Sequence, residues 1–158
     1  MAGKKMYFIK TIHIIVIVAG IILSACTPEA CLDETESYLK ATFYSSATKQ
    51  AVKPDSLTVF GSGMESNRIY SAQKQLSMAR LPLNNLTGFS AFIIRINGRS
   101  DTLNVNYSSF PHLISKECGY SFNHNVEKIS NSYLIIDSIR IINPIVTNEN
   151  RENIRIYF

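Results

Sequence analysis

From residue 39 onward, apolar and polar residues alternate in short runs with the two-residue period of half-buried β-strands. Residues 39–44, 56–60, 68–70 and 75–81 form the first four runs. Pro54-Asp55, Gly61-Ser62-Gly63, and Pro82 with Asn84-Asn85 break them apart. Residues 89–96 and 102–107 flank Asn97-Gly98, the strongest short-range hairpin signal in the chain. Residues 120–122, the β-branched stretch 133–142 and the closing run 153–158 complete the set. No segment carries a convincing helical period. Short strands with turns about every 8–12 residues predict an all-β fold. The expected architecture is a single β-sandwich of about 7–8 strands, immunoglobulin-like or transthyretin-like. The chain has no Trp, so the antibody-type core, in which a Trp packs on the disulfide, is excluded.

The register of the central hairpin can be tested by its pairs. A two-residue Asn97-Gly98 loop sets Ile94 opposite Asp101 and Ser90 opposite Val105. A four-residue loop, 97–100, pairs Ile94 with Leu103 and Phe92 with Val105. Apolar cross-strand pairs stabilise sheets, so the longer loop is the expectation. Either choice keeps Phe92, Ile94, Leu103, Val105 and Tyr107 on one face.

The first 25 residues read differently. Lys4, Lys5 and Lys10 precede an apolar run from Ile12 to Leu23, and Leu23-Ser24-Ala25 stands directly before Cys26. The run is shorter than the about 20 apolar residues of a spanning helix and carries His13. This is the anatomy of a signal peptide, and the small residues before Cys26 resemble the lipobox of bacterial lipoproteins. The resemblance implies removal of residues 1–25 and acylation of Cys26. Thr27-Pro28-Glu29-Ala30 lacks the Leu that a lipobox at Cys31 would need. Residues 26–36 are polar and read as a lipidated tether, and residues 37–158 as the β-sandwich domain. One acyl chain binds a bilayer marginally, whereas several hold essentially permanently. Membrane lipid, reached through acylated Cys26, is therefore the first expected partner.

Charge narrows the partners further. The formal net charge is +4, but Lys4, Lys5 and Lys10 leave with the signal and no acid does, which brings it to +1. No Lys/Arg cluster of the kind that tracks phosphates is present, so nucleic acid is not an expected partner.

Cys31 and Cys118 remain as an even pair in an oxidising compartment, which predicts one disulfide. The chain-entropy model assigns roughly 4–5 kcal/mol to a loop of that size. A metal site of Cys118 with His112 and His124 fits no standard zinc spacing, and neither metal nor cofactor is expected. Gly-x-Ser-x-Gly, His-Glu-x-x-His and phosphate-loop patterns are all missing from the sequence, so no catalytic residue is assigned and an enzyme is not expected. The terminal alternation Ile154, Ile156 and Phe158 resembles the last strand of outer-membrane barrels. Most runs, however, are shorter than the about 9–11 residues a barrel strand needs.

Asp55-Ser56-Leu57, Asp101-Thr102-Leu103 and Asp137-Ser138-Ile139 resemble the O-glycosylation triplet of Bacteroidetes envelope proteins, making Ser56, Thr102 and Ser138 candidate sites. The physical alternative is that Asp favours turns and Ser/Thr favour strand starts. The lipobox, Cys31 soon after it, residues 55–61, 101–103 and 114–119, and the Ile-rich end together resemble an uncharacterised family of small Bacteroidetes lipoproteins, a domain of unknown function numbered 6452. The resemblance implies no activity and favours a partner in the envelope, such as an outer-membrane β-barrel protein. The expected localisation is the cell envelope, lipid-anchored in the outer membrane and facing the periplasm. The expected role is a non-enzymatic binding or scaffolding module, with the terminal strand 153–158 open to strand addition. The alternative is a small-ligand or glycan binder using Tyr and Asn side chains such as those of Asn104-Val105-Asn106-Tyr107.

Overall fold

A computed structural model describes Cys31 and residues 34–158. Residues 33–158 form one compact unit, and every regular element among those described is a β-strand. There are ten: β1 (Tyr38–Tyr44), β2 (Leu57–Gly61), β3 (Arg68–Gln73), β4 (Met78–Pro82), β5 (Phe89–Ile96), β6 (Arg99–Ser115), β7 (Gly119–Asn131), β8 (Ser138–Ile141), β9 (Ile145–Val146) and β10 (Ile154–Tyr157). They build a four-stranded sheet, β4-β1-β10-β8, and a six-stranded sheet, β3-β2-β5-β6-β7-β9. The all-β expectation holds, with more strands than the 7–8 expected.

The alternation in the sequence places one core between the sheets. Leu39, Ala41 and Phe43 of β1, Ala79 and Leu81 of β4, and Ile154 and Ile156 of β10 come from the smaller sheet. They pack in one cluster with Val59, Phe92, Ile94, Leu103, Val105 and Val126 of the larger. Burying one Leu, Ile, Val or Phe contributes about 1.5–3 kcal/mol, so this shared layer is the main source of stability. The two sheets are also tied at one side, where the Tyr70 hydroxyl of β3 accepts from the Arg80 N–H of β4 at 2.8 Å.

The hairpin register differs from the expectation. Ile96 faces Arg99, Ile94 faces Asp101 and Phe92 faces Leu103, so the loop is the two-residue Asn97-Gly98. Both turn residues have positive φ, 49° and 86°, the requirement of the I′ turn that matches strand twist. Cross-strand apolarity lost to a buried polar demand. Asp101 faces the core in either register, and here it stands opposite Ile94, where its carboxylate meets the chain after β7. Oδ1 accepts from the Thr102 and Ser132 N–H groups at 2.7 and 2.9 Å, and from the Ser132 hydroxyl. Oδ2 accepts from the Leu134, Ile135 and Ile136 N–H groups at 2.9, 3.0 and 3.0 Å. Burial alone would raise the pKa of this carboxyl. The bonds from Ser132, Ile135 and Ile136 outweigh it and hold the carboxyl well below the usual range.

Two further differences follow from long-range pairing. The apolar stretch 133–142 is a strand only at Ser138–Ile141, because its first half wraps the Asp101 carboxylate. The closing strand β10 is internal. It runs parallel to β1 on one side and antiparallel to β8 on the other, so it offers no edge for strand addition.

Candidate functional site

β6 and β7 are far longer than their sequence signals, at 17 and 13 residues. β5 pairs with β6 only as far as Asn106, and β9 pairs with β7 only at His124 and Asn125. Residues 108–115 and 119–123 therefore project as a two-stranded ribbon. Pro111 faces Phe122 and Leu113 faces Tyr120 across it. Residues directly opposite, and those two apart on one strand, share a face, so these four make one apolar surface. It is open to solvent: Tyr120 is 72% exposed, Leu113 49% and Phe122 39%.

A bare two-stranded ribbon is marginally stable in water, and this one is fastened. The segment before β1 crosses it. The Ser121 hydroxyl donates to the Thr35 carbonyl, and Ser37 Oγ donates to Asn123 Oδ1 at 3.1 Å. Farther out on the same segment, Asn148 Nδ2 donates to the Glu34 carbonyl at 2.9 Å, and Glu34 pairs with Arg80. The Arg80 guanidinium stacks 4.9 Å from the Tyr38 ring centroid. Residues 34–36, expected to belong to the tether, are thus bonded onto the domain. At the ribbon tip, the Cys118 N–H donates to Ser115 Oγ at 3.0 Å. Cys118 and Cys31 are each disulfide-bonded, as a bridge between them requires.

Where this segment meets the ribbon, a cleft of about 430 Å³ opens. Tyr38, Tyr120 and Phe122 supply aromatic surface, and Glu36, Asn85 and Ser121 supply polar groups. A hydrogen bond from Tyr38 to Glu36, with burial second, raises the tyrosine's pKa. The Tyr and Asn side chains expected to bind a ligand lie elsewhere. Asn104–Tyr107 is part of β6, and Tyr107 is buried. The Tyr107 hydroxyl donates to the Asn84 carbonyl at 2.9 Å, accepts from the Asn84 N–H at 2.8 Å and meets Ser90 Oγ at 2.8 Å.

The other sequence candidates are dispersed. Cys26 lies outside the described residues. Ser56 is half-buried at the start of β2, where its N–H donates to Asn97 Oδ1 at 3.1 Å. Thr102 is half-buried in β6 beside the Asp101 carboxylate. Ser138 is exposed in β8. His124 is 1% exposed, with Nδ1 2.9 Å from Ser109 Oγ and its ring edge-on to Tyr107 at 5.3 Å. Burial lowers its pKa and favours the neutral imidazole.

Two features carried no sequence signal. Lys40, at an outward position of β1, is 0% exposed, and its ammonium donates to the Thr147 carbonyl at 2.8 Å. Burial, and secondarily Arg80, lowers its pKa. β8 ends the order of its sheet, and Ile141 at its end and Ile142 directly after it are exposed. Strand order and loop wrapping create both features, and neither is written in local alternation.

The model of the family of unknown function DUF6452 matches residues 56–158. The chain belongs to that family. The match runs from the start of β2 to the last residue of the chain, so it covers the Asp101 cage, the ribbon and the β8 edge. No curated protein and no solved structure matches the chain.

Proposed function

We propose that this family member is a lipid-anchored, non-enzymatic binding module of the cell envelope, held in the outer membrane through acylated Cys26 and facing the periplasm. Its domain is read as an immunoglobulin-like or transthyretin-like sandwich. The observation that carries the reading is the open edge of β8. That strand has no hydrogen-bonded neighbour on its outer side among the described residues, and Ile141 at its end and Ile142 directly after it are exposed. An edge strand presents unpaired N–H and C=O groups that an extended segment can complete, with apolar side chains supplying added area. The partner is an extended segment of an envelope protein, such as the periplasmic end of a barrel. The Ser109–His124 pair is read as a core hydrogen bond, because a sealed imidazole cannot reach a substrate.

The test is a photo-crosslinking residue in place of Arg140, used in intact cells. One discrete protein adduct is expected, and it should vanish when Ile141 is also changed to Pro, which removes an edge donor because the neighbouring Ile142 N–H points inward to the Asn153 carbonyl. An adduct that survives the proline, or no adduct at all, overturns the β8 reading.

A second reading, a small-ligand or glycan binder, draws on the aromatic and polar lining of the cleft between Tyr38 and Tyr120. Calorimetric titration of neutral oligosaccharides separates the two. Binding abolished by Tyr120→Ala would favour the cleft.

A further inference from the structure

We infer that the apolar face of the β6–β7 ribbon rests in the interfacial layer of the membrane that holds the anchor, so that lipid covers Pro111, Leu113, Tyr120 and Phe122. The inference rests on the reading of Cys26 as acylated.

Three observations select lipid over a protein partner. The first is where the chain enters the domain. Thr35 and Ser37 are hydrogen-bonded to Ser121 and Asn123 of the ribbon, so the polypeptide coming from the anchor arrives at the ribbon itself, covers its Ser121–Asn123 side and leaves Tyr120 and Phe122 facing outward. Eight Cα-to-Cα steps lead from Cys26 to Glu34. At about 3.4 Å per extended residue they reach at most about 27 Å, less than the thickness of one bilayer. The ribbon is therefore kept at the membrane surface. The disulfide at Cys118 fixes the ribbon tip, and with Cys31 as its expected partner the leash shortens to five steps.

The second observation is chemical. The face carries two aromatic side chains, a Leu and a Pro, and no charge. Tyr and Phe suit the boundary of headgroup and acyl chain, where a ring is buried and a hydroxyl stays wet. Lys116 and Glu117 occupy the turn at the tip, where headgroups and water can solvate them. Third, Leu113, Tyr120 and Phe122 are already exposed in the folded domain, so lipid contact costs no rearrangement of the core. An anchored domain of this kind would be oriented by its ribbon, with the opposite end presented to the periplasm. Tyr133 and the start of β6 lie about twelve residues along the strand from the ribbon's outer pairs, or roughly 40 Å at about 3.3 Å per residue.

The chain contains no Trp, so one introduced indole reports alone. The acylated protein, purified from its membrane, is reconstituted into phosphatidylethanolamine–phosphatidylglycerol vesicles with and without brominated acyl chains. Tyr120→Trp and Leu113→Trp report the ribbon face, and Tyr133→Trp reports the far end. The expected result is blue-shifted emission from both ribbon variants and quenching by bromine several-fold stronger than for Tyr133→Trp. Equal quenching at all three positions, or none at any, in protein that floats with the vesicles overturns the docking while leaving the anchor intact. Protein that fails to float overturns anchor and docking together. Unchanged far-ultraviolet circular dichroism of the variants establishes that they are folded.

Discussion

The Asp101 carboxylate accepts a hydrogen bond from the Ile136 N–H, 35 residues later in the chain, at 3.0 Å. One oxygen of that carboxylate receives three consecutive backbone N–H groups. Of these, the Ile136 N–H is buried, and without a partner it would cost about 1–3 kcal/mol. The loop leaving β7 can therefore turn inward and plug the sandwich with Ile136, which is 0% exposed.

Asp101→Asn is close in shape but places an amide N–H₂ against the donors of one side. The expected cost is about 2–4 kcal/mol, read as a melting temperature lower by about 10 °C. The pH dependence has a definite sign. The folded pKa lies below the unfolded value of about 3.9, so the contribution is complete above that pH and is lost as pH falls toward the folded value. Melting curves from pH 6 down to pH 2 should show the wild type losing stability in the acid range, with the Asp101→Asn difference shrinking in step. A difference independent of pH would contradict the assignment.

His124 acts at a higher pH. Burial lowers its folded pKa, so the unfolded chain takes up a proton first as pH drops through about 6.5. Above that pH the residue contributes no pH dependence, and below it stability declines until the folded imidazole also protonates. His124→Gln should flatten the melting curve between about pH 6.5 and pH 5 relative to wild type. Nuclear magnetic resonance of the imidazole should give a midpoint below the ordinary histidine value of about 6.5.

Gly88 is required by close approach. A Cβ there would stand 2.8 Å from the Tyr107 carbonyl oxygen, in backbone that cannot move aside, because the Tyr107 N–H donates to the Gly88 carbonyl at 2.9 Å. Gly88→Ala should destabilise by about 1–3 kcal/mol. Gly63→Ala meets nothing within 4 Å and carries only the strain of φ +80°, so its loss should be about 1 kcal/mol. Equal losses in urea titrations would remove the steric explanation.

Non-reducing peptide mapping should recover Cys31 and Cys118 in one linked peptide. Removing the bridge with the Cys31→Ser, Cys118→Ser double variant should cost about 3 kcal/mol, or about ten degrees in melting temperature for a domain of this size. The two single variants should cost about as much as the double. A double variant that melts with the wild type would show that the ribbon is held by Ser121 and Asn123 alone.

Local pattern settled what depends on neighbours in sequence. The period-two runs located β1, β2, β4 and β5, and Asn97-Gly98 marked its turn, because side-chain alternation and positive φ are properties of a few adjacent residues. The family resemblance was legible from motifs spread along the chain. Tertiary structure decided everything that needs a distant partner. The hairpin register follows Asp101 and its donors 31 to 35 residues away, although apolar pairing alone favoured a different loop. Leu134 and Ile135 look like strand by composition, yet their N–H groups go to the Asp101 carboxylate. The ribbon outgrew its sequence signal because the segment before β1 buries Ser121 and Asn123, polar residues that no hydrophobic pattern would place inside. The last strand ends up in the middle of its sheet because its pairing with β1 spans more than a hundred residues. No local propensity encodes such a contact, which forms only when the core that Ile154 and Ile156 share with Leu39 and Phe43 is assembled.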